Sequence, residues 1–111
     1  MAIGNVVEVK LKFTLAEAGK PKKFELVLIC QRLDQEEIDA QIKEQEGKPS
    51  LVPFIERVAT GWRDQTLVLE EDDQPAAFGP EALKELLKVR GLDVLAFNRY
   101  LQEVGAKEKN S

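Results

Sequence analysis

Apolar and polar residues alternate with a period of two through residues 7–15. Val7, Val9, Leu11, Phe13 and Leu15 are interleaved with Glu8, Lys10, Lys12 and Thr14, the pattern of a half-buried strand. A polar break at Gly19, Lys20 and Pro21 predicts a turn. Alternation resumes with Phe24, Leu26, Leu28 and Cys30 against Glu25, Val27 and Ile29, so an antiparallel hairpin over residues 5–32 is expected. Its second strand is apolar on both faces in the middle and is expected to be covered on both sides. A lone hairpin is at best marginal in water, so helices must pack on it.

Four helices are expected. Asp34 and Glu37 have the spacing of a capping box at the start of a helix over about 35–46, whose apolar face is only Ile38, Ala40 and Ile42; such a thin stripe leaves most of it to solvent or to a partner. After the break at 47–49, Ser50 is placed to cap a helix over about 50–60 that carries Leu51, Phe54, Ile55, Val58 and Ala59 on one side, with Gly61 to stop it. Residues 66–69 read as extended. Pro80 suits the first position of a helix over about 80–90, with Phe78 five residues before Leu83 as a hydrophobic staple, and Leu83, Leu86 and Leu87 as its buried face. Gly91 stops it. Leu92, Asp93 as cap and Phe97 then open a helix over about 93–104 with the stripe Val94, Phe97, Leu101 and Val104. The fold class is therefore α+β: an N-terminal antiparallel β-hairpin packed against a small bundle of about four helices, one domain over 1–106 with a polar tail at 107–111.

Composition narrows what such a domain does. The chain has 111 residues, 43% hydrophobic and 32% charged, with a net charge of −4, enough for one modest core and too short for two ordinary domains. Acidic balance argues against nucleic acid, whose nonspecific binding depends on Lys and Arg neutralising phosphates. The longest apolar run, residues 26–30, is far below the ~20 residues that cross a bilayer. No signal-peptide pattern follows Met1, and one cysteine cannot form an internal disulfide, so a reduced cytoplasmic setting is expected. There is no histidine, which excludes a Ser-His or Cys-His nucleophile pair and the commonest zinc ligand. Cys30 falls at an apolar strand position with no adjacent base and reads as a buried structural thiol. The run Glu70, Glu71, Asp72 and Asp73 lacks the alternate-position ligands ending in Glu of a calcium loop. It reads as a solvated loop or as an acidic patch for a basic partner, and no metal or cofactor is expected. Residues 1–33 carry six Lys and Arg against three acids, whereas residues 34–46 carry six acids and one lysine, an asymmetry suited to self-association or to docking a complementary protein. Trp62 reads as packed on the core, or as the anchor of a partner interface.

The order of these segments resembles the tail assembly chaperones of long-tailed bacteriophages. "CQRLDQEEID" closing a hairpin, "FIERVATGWRD", an acidic loop, "AAFGPEALKELL" and "VLAFNRYLQE" follow one another over roughly residues 22–110. Gly61 and Trp62 match the family's Gly-Trp pair, Glu70 to Asp73 its acidic loop, and Phe78, Leu83, Leu86 and Leu87 its Leu-rich helix. Ala77 departs from a common proline and Gly79 from a common capping serine; glycine is an acceptable cap and Pro80 compensates. The resemblance implies a non-catalytic factor in the cytoplasm of the bacterial host, absent from the finished virion. It would bind the tape measure protein and help recruit tail tube subunits, with Trp62, Glu70, Glu71, Asp72, Asp73, Ile38 and Ile42 as the candidate partner-binding residues. The family's translational frameshift would fall here at "EKN", residues 108–110. The alternatives are a small structural or tail-completion component of the virion, and an enzyme using Cys30 or the acidic loop. Edge strands of the hairpin also admit a homo-oligomer.

Overall fold

A computed structural model describes residues 5–48 and 50–105; the tail and the frameshift position at 108–110 lie outside the described residues. The expected hairpin forms and is longer than its apolar alternation. β1 (Val6–Glu17) pairs antiparallel with β2 (Lys20–Gln31), in a register running from Val6 opposite Gln31 to Glu17 opposite Lys20. The turn is only Ala18 and Gly19, both at positive φ (53° and 79°), the two-residue geometry that matches strand twist. Pro21 sits inside β2 without cost to the ladder. It lies opposite Ala16, in phase with Lys10, whose carbonyl faces the outer edge and accepts from Arg99 Nε at 3.3 Å; the missing proline N–H therefore faces away from β1.

A third strand was not expected. The helix predicted over 50–60 ends at Val58 as α2 (Val52–Val58), and the chain turns extended at Ala59 (φ −73°, ψ 129°) into β3 (Ala59–Arg63). β3 pairs antiparallel with β2, Trp62 opposite Leu28 and Arg63 opposite Val27, giving the sheet order β1-β2-β3. Thr60 is the extra residue of a bulge between Ile29 and Cys30, and its hydroxyl donates to the Ile29 carbonyl at 3.2 Å. Gly61 is thus a strand residue beside Ile29 and not a helix stop. The physical reason is β2 itself: its second edge needs backbone partners, and two added β-formers, Thr60 and Trp62, supply them better than another helical turn would.

One sheet face carries the core. Val7, Val9 and Leu11 of β1 and Leu26, Leu28 and Cys30 of β2 meet Phe54, Ile55 and Val58 of α2, Leu83 and Leu86 of α3 (Pro80–Leu86), and Leu92, Ala96 and Tyr100 of α4 (Leu92–Val104). β2 is covered on its other face as well, by side chains of the flanking strands. Arg63, beside Val27, reaches a bidentate pairing with Glu8, beside Ile29, so the ion pair crosses β2 diagonally and leaves Val27 buried. That guanidinium holds the Glu8 carboxyl below its usual range.

The helix starts divide into those the local sequence dictates and those it does not. α1 (Gln35–Gln45) has the full capping box, Glu37 N donating to Asp34 Oδ1 at 2.8 Å and Asp34 N to Glu37 Oε1 at 3.1 Å. α3 begins at Pro80 after Gly79 as expected, but it ends at Leu86, short of residue 90, and tightens through Val89 N to Leu86 O at 3.2 Å. Ser50 does not cap α2; the N-cap is Leu51, and Ser50 Oγ accepts only from Val52 N at 3.1 Å. Asp93 does not cap its own helix, whose N-cap is Gly91 at φ 83°. Its carboxylate instead accepts the Leu51 N–H at 2.9 Å, tying the start of α4 to the start of α2. Of the stripe expected on α4, Phe97, Leu101 and Val104 pack against the core as partly buried residues, but Leu92, Ala96 and Tyr100 are its buried positions and Val94 is 48% exposed. Tyr100 fills the centre, its ring against Phe54 at 5.5 Å, its hydroxyl donating to Gln31 O at 2.8 Å and accepting from Leu33 N at 3.0 Å.

Candidate partner-binding surface

The stretch after β3 is built around two groups that hold a surface loop. Trp62 faces the core side of the sheet with Leu28. Its indole N–H donates to the Ala76 carbonyl at 3.2 Å, and its ring meets Phe78 edge-on at 5.3 Å. Gln65, 4% exposed, is the second group. Its Nε2 donates to Val68 O at 2.9 Å and Ala76 O at 3.0 Å, and its Oε1 accepts from Val68 N at 2.9 Å. Trp62 and Phe78, on either side of the acidic run, therefore touch one another, and the buried Gln65 amide bonds both arms of the loop.

Between these arms the four acids form a tight turn. Residues 66–69 are not a strand; only Leu69 pairs, in a single bridge with Pro75. Glu70 N donates to Gln74 O at 2.8 Å and Asp73 N to Glu70 O at 3.0 Å, with Asp73 at φ 64° and Asp72 Oδ1 accepting from Gln74 N at 3.2 Å. Asp tolerates the left-handed conformation and bonds its own backbone two residues on, so Asp72 and Asp73 shape the turn as well as charging it. All four side chains are exposed. Beside the loop lies an open groove of about 820 Å³, lined by Leu69 and Glu70 from the loop arm and by Pro80, Lys84 and Lys88 from the α3 side.

The other candidates stand elsewhere. No residue of α1 is buried, and Ile38 is its one side chain packed on the core, whereas Ile42 is 39% exposed. Ile38 borders a separate cleft of about 560 Å³ with Leu33, Leu101 and Val104, which shares no lining residue with the groove at the loop. Among the seven candidates, then, Trp62 joins the loop acids Glu70, Glu71, Asp72 and Asp73, while Ile38 and Ile42 form a second surface. Sequence reasoning missed Gln65, because glutamine is ordinarily a solvated residue and nothing local marks one that will replace backbone partners. It also passed over Leu69, 48% exposed at the mouth of the groove.

Gln65→Ala should loosen the loop. Removing the amide strands the Val68 N–H, a loss of about 1–3 kcal/mol, while the Val68 carbonyl keeps the Ala76 N–H and the Ala76 carbonyl keeps the Trp62 donor. Hydrogen exchange at the Val68 amide reads this directly; an unchanged rate would show that the side chain does not hold the arm.

Cys30 is buried, and burial pushes its thiol up to about 12, so it is a thiol and not a thiolate at neutral pH. Among the described residues no group of three or more His, Cys, Asp or Glu side chains is placed to hold a metal ion, and no helix is long and apolar enough to cross a membrane. No protein-family model, curated protein or solved structure matches the chain.

Proposed function

We propose that this protein is a phage tail assembly chaperone: a non-catalytic factor of the bacterial host cytoplasm that binds the tape measure protein and helps recruit tail tube subunits. The observation that carries this reading is the mounting of the acidic loop. Glu70, Glu71, Asp72 and Asp73 are exposed on a turn whose arms are fixed by Trp62, Gln65 and Phe78, so the charge is presented in one arrangement, and binding it costs little loop ordering. An exposed apolar residue, Leu69, adjoins it, beside the open groove of about 820 Å³. α1 offers a second surface of the same kind, acidic and with Ile42 uncovered. The order of motifs from the Gly61-Trp62 pair through the Leu-rich α3 supports the choice of client.

Two experiments test it. Co-expression with the tape measure protein should keep that protein in the soluble fraction, and unchanged aggregation would overturn the reading. The loop is tested with Glu70→Gln, Glu71→Gln, Asp72→Asn and Asp73→Asn together. Asparagine keeps the turn bond at position 72 and tolerates positive φ at 73, so thermal stability should be nearly unchanged. Client association at low salt should slow by about tenfold or more if the acids steer a basic segment. Equal association rates would reduce the loop to a solvated connection.

A further inference from the structure

α1 is fastened to the domain at points before and beyond it, and hardly at all along its length. Leu33, just before the helix, is fixed: its side chain is buried and its N–H donates to the Tyr100 hydroxyl at 3.0 Å. Leu51, beyond it, is fixed by its N–H on the Asp93 carboxylate at 2.9 Å. Between these points the hydrogen bonds at the helix ends close within the segment itself. Ile38 N donates to Asp34 O at 2.9 Å, the capping box joins Asp34 and Glu37, Glu46 N donates to Lys43 O at 3.2 Å and Lys48 N to Gln45 O at 3.0 Å. Such bonds hold the helix together and travel with it. Gly47, at φ 77°, turns the chain beyond the helix in a conformation that glycine adopts without strain.

The face that α1 turns inward is poorly matched to what lies beside it. Ile38, Gln41 and Gln45 are half-buried and every other residue of the helix is exposed; spacings of three and four place these three on one side. Two of the three are amides. Gln45 Oε1 is buried without a hydrogen-bond partner among the described residues, and a polar atom left in that state costs free energy that water would restore. The neighbouring surface is apolar: Leu33, Leu101 and Val104 line the cleft of about 560 Å³ together with Ile38. Arg32 lines it too, and its Nε is likewise buried with no partner among the described residues. One side chain packed on the core, Ile38, is thus set against two polar atoms that the closed arrangement leaves unpaired.

We infer that α1 is a hinged lid. It swings off the domain as a formed helix, about the line through Leu33 and Leu51, and uncovers Leu33, Leu101 and Val104. Opening gives up the packing of Ile38 and lets water reach the unpaired Gln45 and Arg32 atoms, so the two states lie close in free energy. The motion belongs to the free chain and does not rest on the identity of any client. Distances between spin labels at Ala40→Cys on α1 and Arg57→Cys on α2, both exposed positions, test it in a Cys30→Val background. Truncating a side chain such as Ile38 shifts an equilibrium of this kind by about tenfold or more. From a minor open state of about 1–10%, Ile38→Ala should therefore make the open distance a major population, with the helical circular dichroism signal unchanged. Adding Gln41→Leu and Gln45→Leu extends the apolar inward face and removes the unpaired oxygen. That triple variant should return to the closed distance of the labelled parent. An Ile38→Ala protein that keeps only the parent's distance would overturn the inference. So would a second distance that appears with a loss of helical signal, which would mean that α1 melts instead of swinging. Leucines that leave the open population unchanged would overturn it as well, because the inward face would then not hold the lid.

Discussion

Tyr100→Ala should lower the stability of this protein by about 3–5 kcal/mol, the range for truncating a buried aromatic, out of the roughly 5–15 kcal/mol that holds a domain together. Tyr100 is fully buried and joins three parts of the chain. Its ring packs edge-on against Phe54 of α2, and its hydroxyl bridges the Gln31 carbonyl at the end of β2 to the Leu33 amide that leads into α1. Tyr100→Phe separates the two contributions. It keeps the ring and strands a buried donor and acceptor, for a loss of about 1–3 kcal/mol. Urea unfolding followed by the fluorescence of Trp62, the single tryptophan, measures both. A Tyr100→Ala midpoint no lower than that of Tyr100→Phe would mean that the ring contributes nothing beyond its hydroxyl.

Stability should also fall steeply above pH 9. Burial raises the Cys30 thiol from 9.0 to about 12 in the folded protein, whereas in the unfolded chain it ionises near its ordinary value. Below about pH 9 both states keep the proton and nothing is lost. Between about 9 and 12 the unfolded state releases a proton that the folded state retains, so each pH unit costs about 1.4 kcal/mol. Burial raises the Tyr100 phenol as well, against the opposing hydrogen bond from Leu33, so it acts with the same sign. Cys30→Val removes the thiol share. Urea midpoints at pH 8, 9, 10 and 11 should fall more steeply for wild type than for the variant; parallel curves would show that Cys30 is not held protonated. The same burial makes native Cys30 slow to react with thiol reagents at neutral pH.

The sequence by itself determined whatever is decided within a few residues. Period-two alternation set the hairpin and its core face, because a one-residue slip would turn Val9 and Leu11 to water. The Asp34–Glu37 box and Pro80 set two helix starts, since their partners are backbone groups three residues away or their own ring. The candidate site was half legible: the loop acids and Trp62 stand out in sequence, and Phe78 could be placed by its spacing. Only the tertiary structure decided the rest. A helical stripe through Ala59 ends at Val58 because β2 has an open edge, and that edge belongs to residues 27–30, far back along the chain. Asp93, next to its own helix start, serves the amide of Leu51, and Gln65 replaces backbone partners on both arms of the loop. Val94 continues the apolar spacing of α4, yet Tyr100 sets the buried face, because its hydroxyl finds partners at Gln31 and Leu33. Except for Gln65, whose partners lie 3 and 11 residues on, the deciding partner is a backbone group far along the chain, and a buried donor or acceptor left without one costs more than any local preference returns.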